Sequence, residues 1–154
     1  MTLELDIPGR GRVAIEHVLF DVNGTLTDRG ELIDGVAERL AQLGAQVQVM
    51  LVSADTFGTL AEVGERLGAA VKHVAGGNDK LTLVHELGPD RTAVVGNGSN
   101  DGPALAAAAL GIAVLGPEGT SGDAIRAADV LCASILDALD LLLDARMLVA
   151  TLRL

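Results

Sequence analysis

Apolar and polar positions follow two rhythms along this chain, short continuous apolar runs and apolar residues at helical spacing, and the two alternate almost without interruption. Leu3–Ile7 and Arg12–Glu16 flank Pro8-Gly9-Arg10-Gly11 and predict a hairpin. His17–Val22 predicts a buried strand. Ile33, Val36, Ala37, Leu40 and Leu43 predict a helix over Ile33–Leu43, with Gly44 as its stop. Val47–Val52 reads as a strand, Thr56–Leu67 as a helix closed by Gly68, and Val71–Val74 as a short strand. Lys80–Leu87 reads as a helix before Gly88 and Pro89, Thr92–Val95 as a strand, and Pro103–Ala109 as a helix. Ile112–Leu115 and Val130–Cys132 read as strands around a helical turn at Gly122–Ala127, and Ile135–Leu152 as one long terminal helix.

Strands separated by helices indicate βαβ units and a parallel sheet, and continuously apolar strands indicate helices on both faces. The expected fold is therefore α/β, a three-layer doubly wound parallel sheet. The 154 residues suit one domain, 1–154, with an N-terminal hairpin at 1–16 and a terminal helix at 134–154. No linker, fixed-period repeat or low-complexity tract interrupts the pattern.

Composition narrows the function. Aromatics are 1%, Phe20 and Phe57 alone, so base stacking has little support. A net charge of −10 repels nucleic acid and anionic membranes, so neither is an expected partner. Cys132 is the only cysteine, which excludes an intrachain disulfide and a cysteine metal cluster; at a strand end it reads as a structural thiol. The N-terminus has no signal-peptide pattern, and the stretch Leu105 to Gly116 falls short of the roughly 20 residues that span a bilayer. The expectation is a soluble cytoplasmic protein. The terminal helix carries more apolar positions than one face needs; packing on its own sheet is the default, and a homo-oligomer contact is the alternative.

Two segments carry the chemistry. Phe20-Asp21-Val22-Asn23-Gly24-Thr25-Leu26-Thr27 and Val94-Val95-Gly96-Asn97-Gly98-Ser99-Asn100-Asp101 each follow an apolar run. Strand ends share one edge of a parallel sheet, so distant segments can build one site. It would hold carboxylates for a hard cation and backbone amides for a phosphate. Singly, each element has a plainer reading: Asp21 as a turn cap, Ser53 as a helix N-cap, Lys80 as a solvated helix residue, Asn97–Asp101 as a glycine-rich loop with a cap. His17, His73 and His85 are scattered and read as structural or surface residues.

Asp21-x-x-Gly24-Thr25-Leu26-Thr27 resembles the first motif of the haloacid dehalogenase (HAD) superfamily. Ser53 matches its Ser/Thr motif, Lys80 its lysine motif, and Gly96-Asn97-Gly98-Ser99-Asn100-Asp101 its acidic motif. The run from Gly96 to about Leu131 is similar to the hinge of P-type ATPases, including Asn100-Asp101-Gly102-Pro103-Ala104-Leu105 and Ala127-Ala128-Asp129-Val130-Leu131. The resemblance covers His17 to Leu131 and implies a HAD-like Rossmannoid core. Too little chain lies between the motifs for a cap or a nucleotide-binding domain, and without membrane segments the expectation is that it is not an ion pump.

The resemblance implies a Mg²⁺-dependent phosphohydrolase with Asp21 as nucleophile and Lys80 neutralising charge. Asn23, Gly24, Ser53 and Asn100 would hold the phosphoryl group. Asp21, Asn23, Asn97 and Asp101 would surround Mg²⁺, with either Asn97 or Asp101 in direct contact. Two positions depart from the pattern. Asn23 stands where most HAD phosphatases carry the acid that protonates the leaving group, and Asn97 where an Asp is usual, a pairing similar to soluble P-type-ATPase-like HAD proteins. Turnover is therefore expected to be slow. A phosphate-sensing regulatory module and a phosphotransferase to an acceptor other than water are the alternatives. The phosphorylated substrate is not identified by the sequence.

Overall fold

In the structure, a computed structural model, residues 1–154 are described, Gly77 by its backbone alone. The chain runs β1 Leu3–Ile7, β2 Gly11–Ile15, β3 His17–Asp21, β4 Thr27–Asp28, β5 Glu31–Leu32, α1 Val36–Gly44, β6 Gln48–Ser53, α2 Leu60–Leu67, β7 Ala70–His73 and α3 Gly77–Leu87. It continues through β8 Thr92–Gly96, α4 Gly102–Ala107, β9 Leu110–Val114, α5 Gly122–Ala127, β10 Val130–Cys132, α6 Ile135–Leu143 and α7 Ala145–Leu152. Six strands form one sheet in the order β10-β9-β8-β3-β6-β7, every neighbouring pair parallel.

Alternation along β3 divides the core. Val18 and Phe20 join the helices that cover one face, through Leu40 and Leu43 of α1, Leu60 of α2 and Leu139 and Leu142 of α6. Leu19 points the other way, to Leu83 and Val84 of α3 and Leu105 of α4. Asp21 follows Leu19 by two residues, so its row leans toward α3. The chain leaves β3 for β6 on one side, while β8 lies on the other. That reversal of winding opens a crevice at the carboxyl ends of β3 and β8, where ligands bind in open α/β sheets.

The expected hairpin forms as β1–β2, with Leu3 opposite Ile15 and Ile7 opposite Gly11. Its apolar face (Leu3, Leu5, Ile7, Ile15) is buried in the first core layer.

Several element boundaries differ from expectation, α3 for instance beginning at Gly77 rather than Lys80, and three of the differences have a local reason. The first helix begins at Val36 rather than Ile33 because Gly35 is left-handed, φ 89. The second begins at Leu60 rather than Thr56: Asp55 and Gly58 both have positive φ, and the Asp55 carboxylate caps the helix by accepting from Leu60 N at 2.8 Å. The long terminal helix is two helices. Asp144 leaves helical geometry (φ −123, ψ 88), and its carboxylate accepts from Arg146 N at the start of α7. α6 packs on α1, where Arg39 pairs with Asp140 at 2.7 Å, and α7 packs on β1. The break lets one apolar segment cover two partners. Leu139, Leu142, Leu148 and Leu152 are all buried within the chain.

The ribbon β4–β5 has no counterpart in the sequence pattern. It turns at Arg29 and Gly30, both at positive φ, directly after the first motif. Between β3 and β6 the chain otherwise holds only α1, and between β6 and β8 only α2, β7 and α3 besides short turns, so no cap is inserted among the described residues.

Candidate active site

Asp21 stands at the carboxyl end of β3. After it the chain curls tightly: the amides of Thr25, Leu26 and Thr27 all donate to the carbonyl of Val22, and the Thr27 hydroxyl joins them at 3.2 Å. This curl returns Thr25 beneath Asp21. Thr25, fully buried, presents its hydroxyl to Asp21 Oδ2 at 3.1 Å and to Asn97 Oδ1 at 3.2 Å.

From the opposite layer, the first turn of α3 delivers Lys80. Its Nζ donates to Asp21 Oδ1 at 2.9 Å and to Asp101 Oδ1 at 2.5 Å. Asp101 sits in the turn after β8, and its second oxygen accepts the amides of Asn97 (3.1 Å) and Gly98 (2.9 Å). Lys80 and Asp101 are 4% and 1% exposed, so this ion pair is shielded from water and its members are held by one another.

The charges set each other's protonation. Burial first, and the neighbouring Asp101 charge second, push the Asp21 carboxyl up to about 6, against the charge and hydrogen bonds of Lys80 and the bond from Thr25. For Lys80, burial is the largest single influence and pulls downward. The charges of Asp21 and Asp101 and their hydrogen bonds together outweigh it, and the ammonium is held above its ordinary range.

Asn97 is oriented from two sides: its Nδ2 donates to Gly119 O at 2.9 Å, which turns Oδ1 toward Thr25 and Asp21. Asn23 is half-buried at the mouth, two residues past Asp21. Gly24 takes φ 76, and a Cβ there would strike Asn97 Nδ2 at 2.8 Å and Glu118 Oε2 at 2.7 Å, so only glycine fits. Ser53 ends β6, one residue beyond the Val52 that pairs with Asp21. It is buried, and its hydroxyl accepts from Asp55 N at 2.9 Å. Asn100 is exposed and lies against Gly98 in its own turn, at the rim and outside the Asp21–Lys80–Asp101 contacts.

The structure thus gathers Asp21, Gly24, Lys80, Asn97 and Asp101 into one cluster, with Asn23 and Ser53 on the same edge. It adds two features that the motifs do not flag. One is Thr25 as the link between the two segments. The other is the loop from Leu115 to Ser121, which lies over Gly24. The Gly-Thr pair in the first motif is the available signal for Thr25; the loop offers none.

The donor set can be tested against a hard cation. Among the described residues, no three His, Cys, Asp or Glu side chains converge. What converges is one carboxylate and one amide oxygen, both facing the Thr25 hydroxyl. That hydroxyl has a single proton, so one of the two oxygens always lacks it. Oxygen ligands supplemented by water suit Mg²⁺. Both oxygens of Asp101 are already engaged by Lys80 and two amides, so Asn97 is the residue that turns an oxygen toward Asp21.

No protein-family model matches the chain. The cadmium-transporting ATPase of Staphylococcus aureus is 32% identical over 121 residues, 77% of this chain. The chain spans only 16% of that ATPase's length. An uncharacterized protein of Methanocaldococcus jannaschii is 42% identical over 78 residues, 48% of this chain and 84% of that protein. Among solved structures, the cobalt-bound deoxy-D-mannose-octulosonate 8-phosphate phosphatase of Haemophilus influenzae superposes with a TM-score of 0.70 at 22% identity, covering 86% of this chain and 89% of that one. A zinc-transporting PIB-type ATPase gives a TM-score of 0.64 at 31% identity, over 79% of this chain and 20% of that one. The corresponding phosphatase of Moraxella catarrhalis, solved with magnesium, phosphate and KDO, gives 0.65 at 19% identity, covering 90% of this chain and 94% of that one. These likenesses show a haloacid-dehalogenase-like α/β fold, one this chain shares with HAD-family hydrolases and with a domain of P-type ATPases, and no cap is inserted among the described residues.

Proposed function

We propose that this domain is a divalent-metal-dependent phosphohydrolase working through an aspartyl-phosphate on Asp21, with Mg²⁺ as the cation. The observation that carries the reading is the Lys80 ammonium shared between Asp21 and Asp101 at the crevice where the sheet reverses. An Asp fixed at both oxygens, beside a buried cation, is an oriented nucleophile. The phosphatase and ATPase neighbours support phosphoryl chemistry at such a site; the transport activity and substrates belong to those proteins.

In the first step Asp21 attacks phosphorus, forming the mixed-anhydride bond of an acyl phosphate as the bond to the leaving oxygen breaks. Lys80 offsets the charge gathered on Asp21 and the phosphoryl oxygens, while the Ser53 hydroxyl and the Asn23 amide offer donors to those oxygens; the Gly24 amide is already given to Thr27 O. Asn23 has no proton to give, so the leaving oxygen departs as its anion or takes a proton from water. In the second step water adds to phosphorus and the anhydride bond to Asp21 breaks, releasing phosphate and restoring the carboxylate. No carboxylate at position 23 activates that water, so this step is slow as well. A divalent cation held by Asp21 and Asn97, with the Asn23 carbonyl, would neutralise phosphoryl charge in both steps. Asp101 stands behind, fixing Lys80.

Asn23 also supports a second reading, in which the acyl phosphate lives long enough to signal or to pass to another acceptor. One experiment separates them. Wild type and Asp21→Asn are mixed with an activated aryl phosphate and Mg²⁺, and acid-stable phosphoprotein and released phosphate are followed in a single turnover. A transient phosphoprotein absent from Asp21→Asn supports the mechanism. Phosphate release by Asp21→Asn at the wild-type rate overturns it.

A further inference from the structure

Two loops leave the edge that carries the site, and they meet above it. The ribbon β4–β5 follows the first motif out of β3. The segment 54–59 follows Ser53 out of β6, the strand beside β3. Their contact is one aromatic ring on one bare glycine. The position a Cβ on Gly30 would occupy lies 3.6, 3.7 and 3.9 Å from Phe57 Cγ, Cβ and Cδ2. The root of the ring rests on the turn of the ribbon, and Phe57 is still 47% exposed. The chain has only two aromatic residues, and the other, Phe20, is fully buried.

Both loops hold this arrangement with backbone that ordinary residues avoid. Among the described residues, Arg29 (φ 49) and Asp55 (φ 57) are the only non-glycine residues at positive φ. Arg29 adjoins Gly30, and Asp55 stands two residues before Phe57. Arg29 and Gly30 make the two-residue turn that hairpins favour. Asp55 is tied three ways. Its amide donates to Ser53 Oγ at 2.9 Å, its Oδ1 accepts from Leu60 N at 2.8 Å, and its carbonyl accepts from Gly58 N at 3.0 Å. The last bond closes a turn with Phe57 at its third position. The ring is therefore carried by a turn anchored directly to Ser53. Local backbone strain of this kind collects at ligand clamps and active sites.

In-line attack by Asp21 sends the leaving group away from the strand ends, toward these two loops. Asn23 sets a second, independent condition. With no proton to give, it favours leaving groups that are stable as anions. Aromatic hydroxyls meet that condition and bring a flat apolar face. We propose that Phe57 is a specificity residue, and that the substrate is the phosphate ester of an aromatic hydroxyl whose ring packs on Phe57. The inference rests on the aspartyl-phosphate reading above.

The test is single-turnover hydrolysis by the full chain with Mg²⁺, comparing 4-nitrophenyl phosphate with acetyl phosphate. Both leaving groups depart without a proton, and only the first carries a ring. Phe57→Ala should raise the half-saturating concentration of the aryl phosphate relative to that of acetyl phosphate by roughly two- to tenfold, with little change in maximal rate. Phe57→Tyr returns the ring and should restore the wild-type ratio. Leu131→Ala removes a similarly exposed apolar residue on β10, at the far edge of the sheet, and should leave the ratio as in wild type. A loosened loop would shift both substrates together, so the ratio reports the ring even where Phe57→Ala lowers the unfolding midpoint. A wild-type ratio in Phe57→Ala, or an altered ratio that Phe57→Tyr does not restore, overturns the proposal. If hydrolysis of both phosphates depends on Asp21 while the ratio ignores Phe57, only this inference falls. If wild type hydrolyses neither, or Asp21→Asn hydrolyses both at the wild-type rate, the aspartyl-phosphate reading falls and this inference with it.

Discussion

Asn23 sits half-buried at the mouth of the crevice, two residues past Asp21, the proposed nucleophile, and carries an amide where proton transfer to a leaving group would need an acid. Such a group contributes about 10²–10⁴-fold in rate. Asn23→Asp should therefore raise single-turnover hydrolysis of alkyl phosphates within that range. Activated aryl phosphates, whose leaving groups need no proton, should gain far less, and any trapped aspartyl-phosphate should decay faster. Equal effects on both substrate types would assign the acid elsewhere. Lys80 makes the complementary point. Lys80→Met keeps the buried stem and leaves Asp21 and Asp101 facing each other unpaired, which should cost about 3–5 kcal/mol near neutral pH. The loss should shrink toward pH 5, where one carboxyl takes a proton, and urea titrations at the two pH values check both statements. Asp21, Lys80, Asn97 and Asp101 were legible because their order along the chain repeats a known pattern. Thr25's partnership with Asn97 spans 72 residues, and the loop that brings Gly116 against Gly24 has no periodicity. Neither contact exists until the sheet has formed.

At the level of elements, hydrophobic rhythm located the strands of the main sheet, most plainly β8 and β9, which are buried along their whole length and almost continuously apolar, and least plainly the edge strand β7, which is exposed throughout. It failed where backbone geometry, not burial, sets the boundary. Left-handed Gly35 and Asp55 delay two helices, and Asp144 breaks a third whose apolar spacing runs straight through it. The two-residue strands β4 and β5 are too short to carry a period at all. The same distinction separates glycines that look alike in sequence. Gly44 ends α1 with nothing within 4 Å of a Cβ and no positive φ, so Gly44→Ala should stabilise by up to about 1 kcal/mol. Gly116→Ala would drive a methyl into the carbonyl of Gly24, a backbone atom with nowhere to go. It should cost about 1–3 kcal/mol and weaken Mn²⁺ binding by lifting the loop from Asn97. Equal stability of the two variants in urea unfolding would show that the loop does not rest on Gly24 in solution.

For the whole molecule, the site is a fixed charge cluster that the fold must hold together. Burial raises Asp21 from its ordinary 3.8 to about 6, so the folded protein keeps a proton over a pH window in which the unfolded chain has lost it. Stability rises with pH only where the unfolded state binds more protons. Here the folded state binds more, so this group's contribution falls as pH climbs from about 4 to about 6 and stays low above that. The fall amounts to roughly 2–3 kcal/mol, given about 1.36 kcal/mol for each pH unit. Urea unfolding in buffer with a chelator reads this directly; among the described residues no helix is long and apolar enough to cross a membrane. Asp21→Asn is neutral at every pH and isolates the contribution, since all other titrations are common to both proteins. The two should be close in stability near pH 4, and Asp21→Asn should be the more stable by roughly 2–3 kcal/mol at pH 7.5. Added Mg²⁺ should narrow that gap at pH 7.5, because it stabilises the wild-type carboxylate in proportion to its occupancy. A difference independent of pH, or a wild type more stable than Asp21→Asn at pH 7.5 without metal, would mean that Lys80 more than compensates the burial of Asp21. Asp21 would then carry no cost in stability.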